Sequence, residues 1–543
     1  MHLYIIFISY IVSFCTVLSI DLPEVSIEQG ILRGLYTKTF RNRKIASFEG
    51  IPFGKPPLGK YRFKEPVPTD PWIGIYNATK KPPQCFQTEQ TNARGSEDCL
   101  YLNVYTPQLT IDQPKSLNVI AFIHGGAFYA GKSTDVSPYL LLDRDLVLVT
   151  FNYRLGPLGF LSTEDAIVPG NNGLKDQLLA LKWIKKNIGA FGGNPNNVTL
   201  GGVSAGGVSC HYHLLSPLSK GLFKRAFCMS GVALNPWAVA HQSKEKTMII
   251  ANQLGCPTND SLEMVACLRD RPAEHIVALS KQFLYWGSSS PLVIFAPVIE
   301  HPHPNAFISE SPIKIIEEGK GSDVPVLLSY ALDEGLCGGT EILSIPGMFN
   351  ELLKRWDEVL PHVLSYNFTL TSERKLEVNQ QIKDFYEITN SSLGARNLIK
   401  MIGDRLFVAG ISKTVKLSAA HYSSPVYLYR FSYRGKHSVS EFFGTSENLG
   451  VCHGDDMFYT LGLYNIFNNK AESDIQISNK MLDLWENFAA GDLDNEIWRP
   501  VEKNSSKIVF IDIIKPTNFQ PTVAFQLGEE SFWDCLEFNE IVN

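Results

Sequence analysis

Apolar strands alternating with an amphipathic helix predict an α/β fold built on one large, mostly parallel central sheet with helices on both faces. Three observations carry that expectation. Seven apolar runs punctuate the chain: Leu117 to Ile123, Leu146 to Tyr153, Val198 to Val203, Ala226 to Ser230, Val324 to Tyr330, Val426 to Phe431 and Ile508 to Ile513. Between the second and third, Leu174, Leu178, Leu181, Ile184 and Ile188 recur at helical spacing after Asn171 and Asn172, and Gly189, Gly192 and Gly193 close the run. No internal repeat, low-complexity tract or linker divides the rest, so residues 20–543 read as one large domain.

The elements follow in order. Met1 to Ile20 is almost wholly apolar, and Asp21, Leu22 and Pro23 follow. This is the pattern of a secretory signal peptide over residues 1–19, although its start carries only His2 and no Lys or Arg. An uncleaved anchor is the competing reading; Ser9, Ser13, Cys15 and Thr16 interrupt the apolar run and favour cleavage. No later stretch is apolar for long enough to span a bilayer, so an exported, extracellular protein is expected. Glu24 to Thr37 alternates and contains Gly30 and Gly34, which suggests a short hairpin, and Pro- and Gly-rich coil follows from Ile51 to Pro83.

Composition narrows the function classes. Hydrophobic residues make up 44% and charged residues 19%, as in ordinary globular proteins. A net charge of -6 without a basic run argues against nucleic acid as a partner. Ten cysteines suit an oxidising compartment, and two pairs lie close in sequence, Cys85 with Cys99 and Cys256 with Cys267. If Cys15 leaves with the signal, an odd number remains. Cys210, Cys228, Cys337 and Cys452 sit in segments that read as core or site-adjacent, where a small buried thiol is expected, and Cys535 is the candidate for pairing with another chain. Glycosylation sequons begin at Asn77, Asn197, Asn259, Asn367, Asn390 and Asn504. No feature selects an oligomeric state.

The chemistry-bearing stretch is Val198 to Gly207, where Gly202-Val-Ser204-Ala-Gly206 joins an apolar strand to a predicted helix. This G-x-S-x-G pattern lifts a serine off the sheet on a sharp turn, making Ser204 a candidate nucleophile. Three fixed letters arise by chance in roughly one such chain in four, so partners decide. A serine needs a base, and the base needs an orienting acid. After the run Val324 to Tyr330, Asp333 and Glu334 are both available at a strand end, and later His453 lies in Gly450-Val-Cys-His-Gly-Asp-Asp456. A metal site from Cys452, His453, Asp455 and Asp456 is disfavoured, because consecutive loop residues rarely converge on one ion. His124-Gly-Gly-Ala-Phe128 follows another strand and offers backbone donors for an oxyanion: Gly125, Gly126 and, after the serine, Ala205.

With these motifs in place, the chain resembles the type-B carboxylesterases, α/β-hydrolases that include cholinesterases and secreted insect esterases. The likeness runs nearly end to end and rests on Phe48-Glu-Gly-Ile-Pro-Phe-Gly54, Tyr61-Arg-Phe63, Ser96-Glu-Asp-Cys-Leu-Tyr-Leu-Asn-Val104, the His124 motif, Phe151-Asn-Tyr-Arg-Leu-Gly156, Gly173-Leu-Lys-Asp-Gln177, the serine turn and Gly450 to Asp456. The resemblance implies a Ser204, Glu334 and His453 triad acting through an acyl-enzyme, with Ser230 supporting it. It also implies the two disulfides, ion pairs Arg62 with Glu97 and Arg154 with Asp176, and an acyl-pocket wall at Trp237, which reads almost as well as a core residue. No cofactor or metal is implied, and the expected partner is a small-molecule ester: a xenobiotic, an odorant or pheromone ester, or a hormone.

Two departures mark this chain. The residue before the nucleophile, often Glu in the family and usually Gln in juvenile hormone esterases, is Val203. The loop Phe86 to Asp98 lacks the Trp on which cholinesterases seat choline, so a cation–π seat is missing there. Remaining alternatives are a juvenile hormone esterase, a neutral lipase, or a non-catalytic adhesion-type member of the fold.

Overall fold

The structure is a computed structural model describing residues 22–89, 92–108, 116–445, 447–462 and 471–540. The expected signal peptide, with Cys15, lies outside the described residues. Among the described residues eleven strands form the main sheet. They are β1 (Leu35–Lys38), β2 (Lys44–Pro52), β3 (Tyr101–Thr106), β4 (Leu117–Ile123), β5 (Leu146–Phe151), β6 (Gly193–Val203), β7 (Arg225–Met229), β8 (Val326–Ala331), β9 (Val426–Phe431), β10 (Ile508–Lys515) and β11 (Asn518–Ala524). Their spatial order is β11-β10-β9-β8-β7-β6-β4-β5-β3-β2-β1.

The seven apolar runs are the seven central strands, and every pairing among them is parallel. β11 on one edge and β1, β2 and β3 on the other pair antiparallel, so the sheet is mixed. Those edges escape the apolar-run criterion for a physical reason. β1 and β11 are largely solvent-facing, with polar alternation that reads as loop, while β2 is interrupted by Gly50 and ends in Pro52. The N-terminal hairpin forms between Glu24–Ile27 and Gly30–Arg33, but Leu35–Lys38 leaves it to become β1 of the main sheet.

Alternate residues of β4 show how both faces are covered. Val119, Ala121 and Ile123 belong to one apolar cluster with Leu174, Leu178 and Val208, from helices α1 (Asn172–Asn187) and α2 (Ala205–Leu215). Ile120 and Phe122 point into a second cluster with Trp485 and Phe488 of α3 (Glu472–Ala490). Two-residue strand periodicity thus divides one apolar run between two cores.

Among the described residues no helix is long and apolar enough to cross a membrane. The disulfides Cys85–Cys99 and Cys256–Cys267 are present, as are the ion pairs Arg62–Glu97 and Arg154–Asp176, both in bidentate geometry. Cys210, Cys228 and Cys452 are buried and Cys535 is exposed. Cys337 is half-buried and stands beside the site cavity.

Candidate active site

The parallel strands deliver the candidate groups at their C-terminal ends. Ser204 sits between β6 and α2 with φ 58° and ψ -123°, a sparsely populated conformation that costs on the order of 1–3 kcal/mol. Its N–H donates to Met229 O at 2.8 Å, and its carbonyl accepts from Val208 N–H at 2.9 Å. The flanking glycines are steric requirements. A Cβ on Gly202 would lie 2.2 Å from Gly206 O, and one on Gly206 would lie 2.1 Å from Ile123 O.

Glu334 follows β8 and is 1% exposed. It accepts from His453 Nδ1 at 2.5 Å, from Ser230 Oγ at 2.5 Å and from the Ala331 N–H at 2.6 Å. An ionised carboxylate only accepts, so Nδ1 of His453 carries the proton and Nε2 is left as the acceptor. That Nε2 is buried without a partner among the described residues, and His453 and Ser204 line one cavity. Asp333, the other acid open from sequence, points elsewhere. Its Oδ2 accepts from Val451 N–H at 2.8 Å and its N–H donates to Val451 O at 3.0 Å, which ties the acid loop to the histidine loop.

After β4, His124 is buried, and desolvation lowers its pKa to about 4. Its neutral ring donates from Nδ1 to Gly125 O at 2.8 Å and stacks on Tyr153, whose hydroxyl donates to His124 O at 3.1 Å. Gly126, Ala127 and Phe128 all have positive φ, of 109°, 51° and 60°. This left-handed run curls the loop back, closed by Ala130 N–H on Gly126 O at 2.9 Å and Gly156 N–H on Phe128 O at 2.7 Å. Gly125 and Gly126 N–H have no acceptor among the described residues. Ala205 opens α2, where the first N–H groups have no intrahelical partner and the helix dipole favours negative charge.

These groups face a cavity of about 870 Å³. Val203 and Trp237 line its wall, and Trp237 is also packed like a core residue: its Nε1 donates to Leu406 O at 2.7 Å and its ring touches Phe128 and Phe407. Cys337 lines it too, and burial pushes its thiol up to about 12. Ile345, Phe442 and Phe443 form an apolar rim, at 49%, 49% and 43% exposure.

Sequence reasoning missed several supports. Gln87, inside the Cys85–Cys99 loop, accepts from Gly131 N–H at 2.9 Å and donates to Gly131 O at 3.1 Å, clamping the far end of the His124 loop. Asp455 and Asp456 proved to be internal fasteners. Asp455 accepts from Cys452 N–H, Val439 N–H and Ser438 Oγ, while Asp456 accepts from Tyr429 OH at 2.8 Å. Burial raises their pKa values to about 7 and about 6. Among the described residues no group of three or more His, Cys, Asp or Glu is placed to hold a metal ion. Among the sequons, Asn197 is engaged: its amide donates to Asn118 Oδ1 and Ala489 O, whereas Asn77, Asn259, Asn390 and Asn504 are exposed.

The mixed sheet, with its groups gathered beyond the central parallel strands, defines an α/β-hydrolase. The model of the carboxylesterase family matches residues 21–525. Esterase FE4 of Myzus persicae is 42% identical, over 97% of this chain and 95% of its own. Venom carboxylesterase-6 of Apis mellifera is 38% identical over 99% of both chains. The crystal structure of juvenile hormone esterase from Manduca sexta, with OTFP covalently attached, superimposes with a TM-score of 0.83 at 28% identity, covering 95% of this chain and 99% of that one. The chain belongs to the carboxylesterase family, and it is an enzyme of the carboxylic ester hydrolase class.

Proposed function

We propose that the protein is a secreted serine carboxylesterase working through an acyl-enzyme. The observation that carries this reading is the 2.5 Å contact between Glu334 and His453 Nδ1 at the cavity that also exposes Ser204. Nε2 of His453 takes the Ser204 proton as Oγ attacks the ester carbonyl. Gly125, Gly126 and Ala205 N–H stabilise the oxyanion, and each such donor contributes about 3–4 kcal/mol in comparable sites. His453 then protonates the leaving alcohol, and water attacks the acyl-serine with His453 again as base. Glu334 holds the imidazole in its tautomer, and Ser230 and the Ala331 N–H hold Glu334.

The cavity favours neutral, apolar esters, because Val136, Val203, Leu292, Met457 and the aromatic rim dominate its surface around the serine. Export is supported by the apolar leader and by the two disulfides. Residues 20–543 act as one domain after removal of residues 1–19, glycosylated at exposed sequons. A non-catalytic adhesion role is disfavoured because no candidate group is missing. The likeness to a juvenile hormone esterase structure keeps hormone esters among the substrates to be tested.

Hydrolysis of p-nitrophenyl acetate and butyrate by wild type and Ser204→Ala tests the chemistry. Equal rates would overturn the assignment. A panel varying acyl chain and alcohol, including juvenile hormone, volatile acetates and emulsified triglyceride, then ranks esterase against lipase and hormone specificity.

A further inference from the structure

A second cavity, of about 280 Å³, shares Trp237 in its lining with the hydrolytic one. It falls near the lower end of the sizes at which small-molecule sites are found. Its walls are mainly apolar, with Val239, Ile249, Phe283, Leu284, Val293 and Ile294 among them. Into this lining the helix Ser243–Gln253 places Lys246, the one lysine or arginine among the lining residues. Its Nζ donates to Ile294 O at 2.8 Å and stands 5.9 Å from the centre of the Phe368 ring. Among the described residues it makes no ion pair, so two of its three donors are uncommitted. An ammonium with two free N–H donors beside an apolar lining is a seat for an anionic oxygen.

The surroundings restrict which anion. His362 stacks flat on Tyr285 at 3.8 Å, and burial lowers its pKa to about 4; His241 is lowered by burial as well, so both are neutral near pH 7 and offer hydrogen bonds without charge. Glu245 lines the mouth and, with Glu164, puts negative charge near Lys246. With two carboxylates near the one cation, a singly charged head meets less repulsion than a phosphate dianion. The apolar walls suit a hydrocarbon tail.

We propose that this cavity is a binding site for an apolar-chain monocarboxylate, its head on Lys246 and its tail against Val239, Ile249 and Trp237. The inference does not rest on the hydrolytic reading, because binding is measured with the catalytic serine removed. Ser204→Ala protein is titrated calorimetrically with octanoate and, in parallel, with octanol; the same titrations are run in the background of Lys246→Met and of Lys246→Arg. The expected result is one equivalent of octanoate bound at least tenfold tighter than octanol, with that preference lost in Lys246→Met and restored in Lys246→Arg. Folding is checked by melting temperature, and if Lys246→Met is unfolded, Val239→Trp, which fills the cavity, must abolish octanoate binding instead. Octanoate that fails to bind, binds no tighter than octanol, or binds equally to Lys246→Met or to Val239→Trp overturns the proposal. So does competition for the octanoate site, in the protein that retains Ser204, by a trifluoromethyl ketone, whose carbonyl carbon takes the Ser204 oxygen as a hemiketal in the hydrolytic cavity.

Discussion

The floor and the rim of the candidate active-site cavity are built on opposite principles. On the floor, backbone meets backbone: Gly202 and Gly206 tolerate no Cβ, Ser204 is locked at a positive φ, and Glu334 is buried under three donors. At the rim, Ile345, Phe442 and Phe443 are half-exposed side chains. The rim segment Val439–Phe443 is fastened by a capping box between Ser438 and Glu441 and by Asp455. Groups aimed at developing charge need a fixed geometry, since small misplacement is costly in rate. Apolar contacts to a substrate are non-directional and tolerate variation. The comparison teaches that substitutions on the floor should act on kcat and those at the rim on substrate choice.

The largest expected effect is at the floor. Ser204→Ala should lower kcat for p-nitrophenyl butyrate by a factor on the order of 10⁶ in stopped or continuous assays. Two adjacent carboxylates then sharpen the picture: Glu334→Gln should lower kcat by about 10⁴ through the wrong tautomer of His453. Asp333→Asn, which keeps an acceptor for Val451 N–H, should cost less than about tenfold. Equal losses in the two variants would show that the acid has been misassigned.

Protonation provides a test of the scaffold under the floor. His124, His211 and His213 are buried, with pKa values lowered to about 4, 4 and 3. Their unfolded-state value is near 6.5, so the stability they confer is complete above pH 6.5 and is lost as pH falls toward the folded values. Asp455 and Asp456 act in the opposite sense, because their folded values of about 7 and about 6 lie above the unfolded one. Each such group changes the slope by about 1.4 kcal/mol per pH unit between its unfolded and folded values, so His213 by itself makes acidification destabilising by that increment between about pH 6 and pH 4. His213→Asn, measured by urea unfolding across that range, should flatten the slope by about one such increment. An unchanged slope would mean that His213 is not held neutral. Gly206→Ala should follow, with a loss of at least about 2 kcal/mol and a lower melting temperature, since the obstacle is the backbone carbonyl of Ile123. The smallest effect belongs to the rim: Phe443→Ala should reduce kcat/KM several-fold for long-chain p-nitrophenyl esters and less for the acetate, because only a long chain reaches that ring. Val203→Gln, midway between floor and rim, should shift the acyl profile; an unaltered profile would place specificity elsewhere in the pocket.

Much of this was legible in the residues. The central strands were visible because burial on both faces demands uninterrupted apolar runs, and the serine turn because close backbone approach demands glycine. The outermost strands β1 and β11 were not, since a strand facing water alternates like a loop. Neither was the left-handed curl of Gly126, Ala127 and Phe128, because Ala and Phe carry no local preference for positive φ. Gln87 and Asp455 were missed for another reason. Their partners, Gly131 and Val439, are remote in sequence and use backbone atoms that every residue possesses.

By itself, then, the chain determined the order and type of its central elements and the candidate groups of its site, because periodicity and glycine placement are local properties. Which neighbouring carboxylate meets His453 was decided only in the tertiary structure. Consecutive turn residues point apart, so Glu334 reaches Ser230 and the imidazole while Asp333 turns to the backbone of Val451. The same holds for Trp237, whose two readings merge because a side chain packed near Phe128 and Phe407 also lines two cavities.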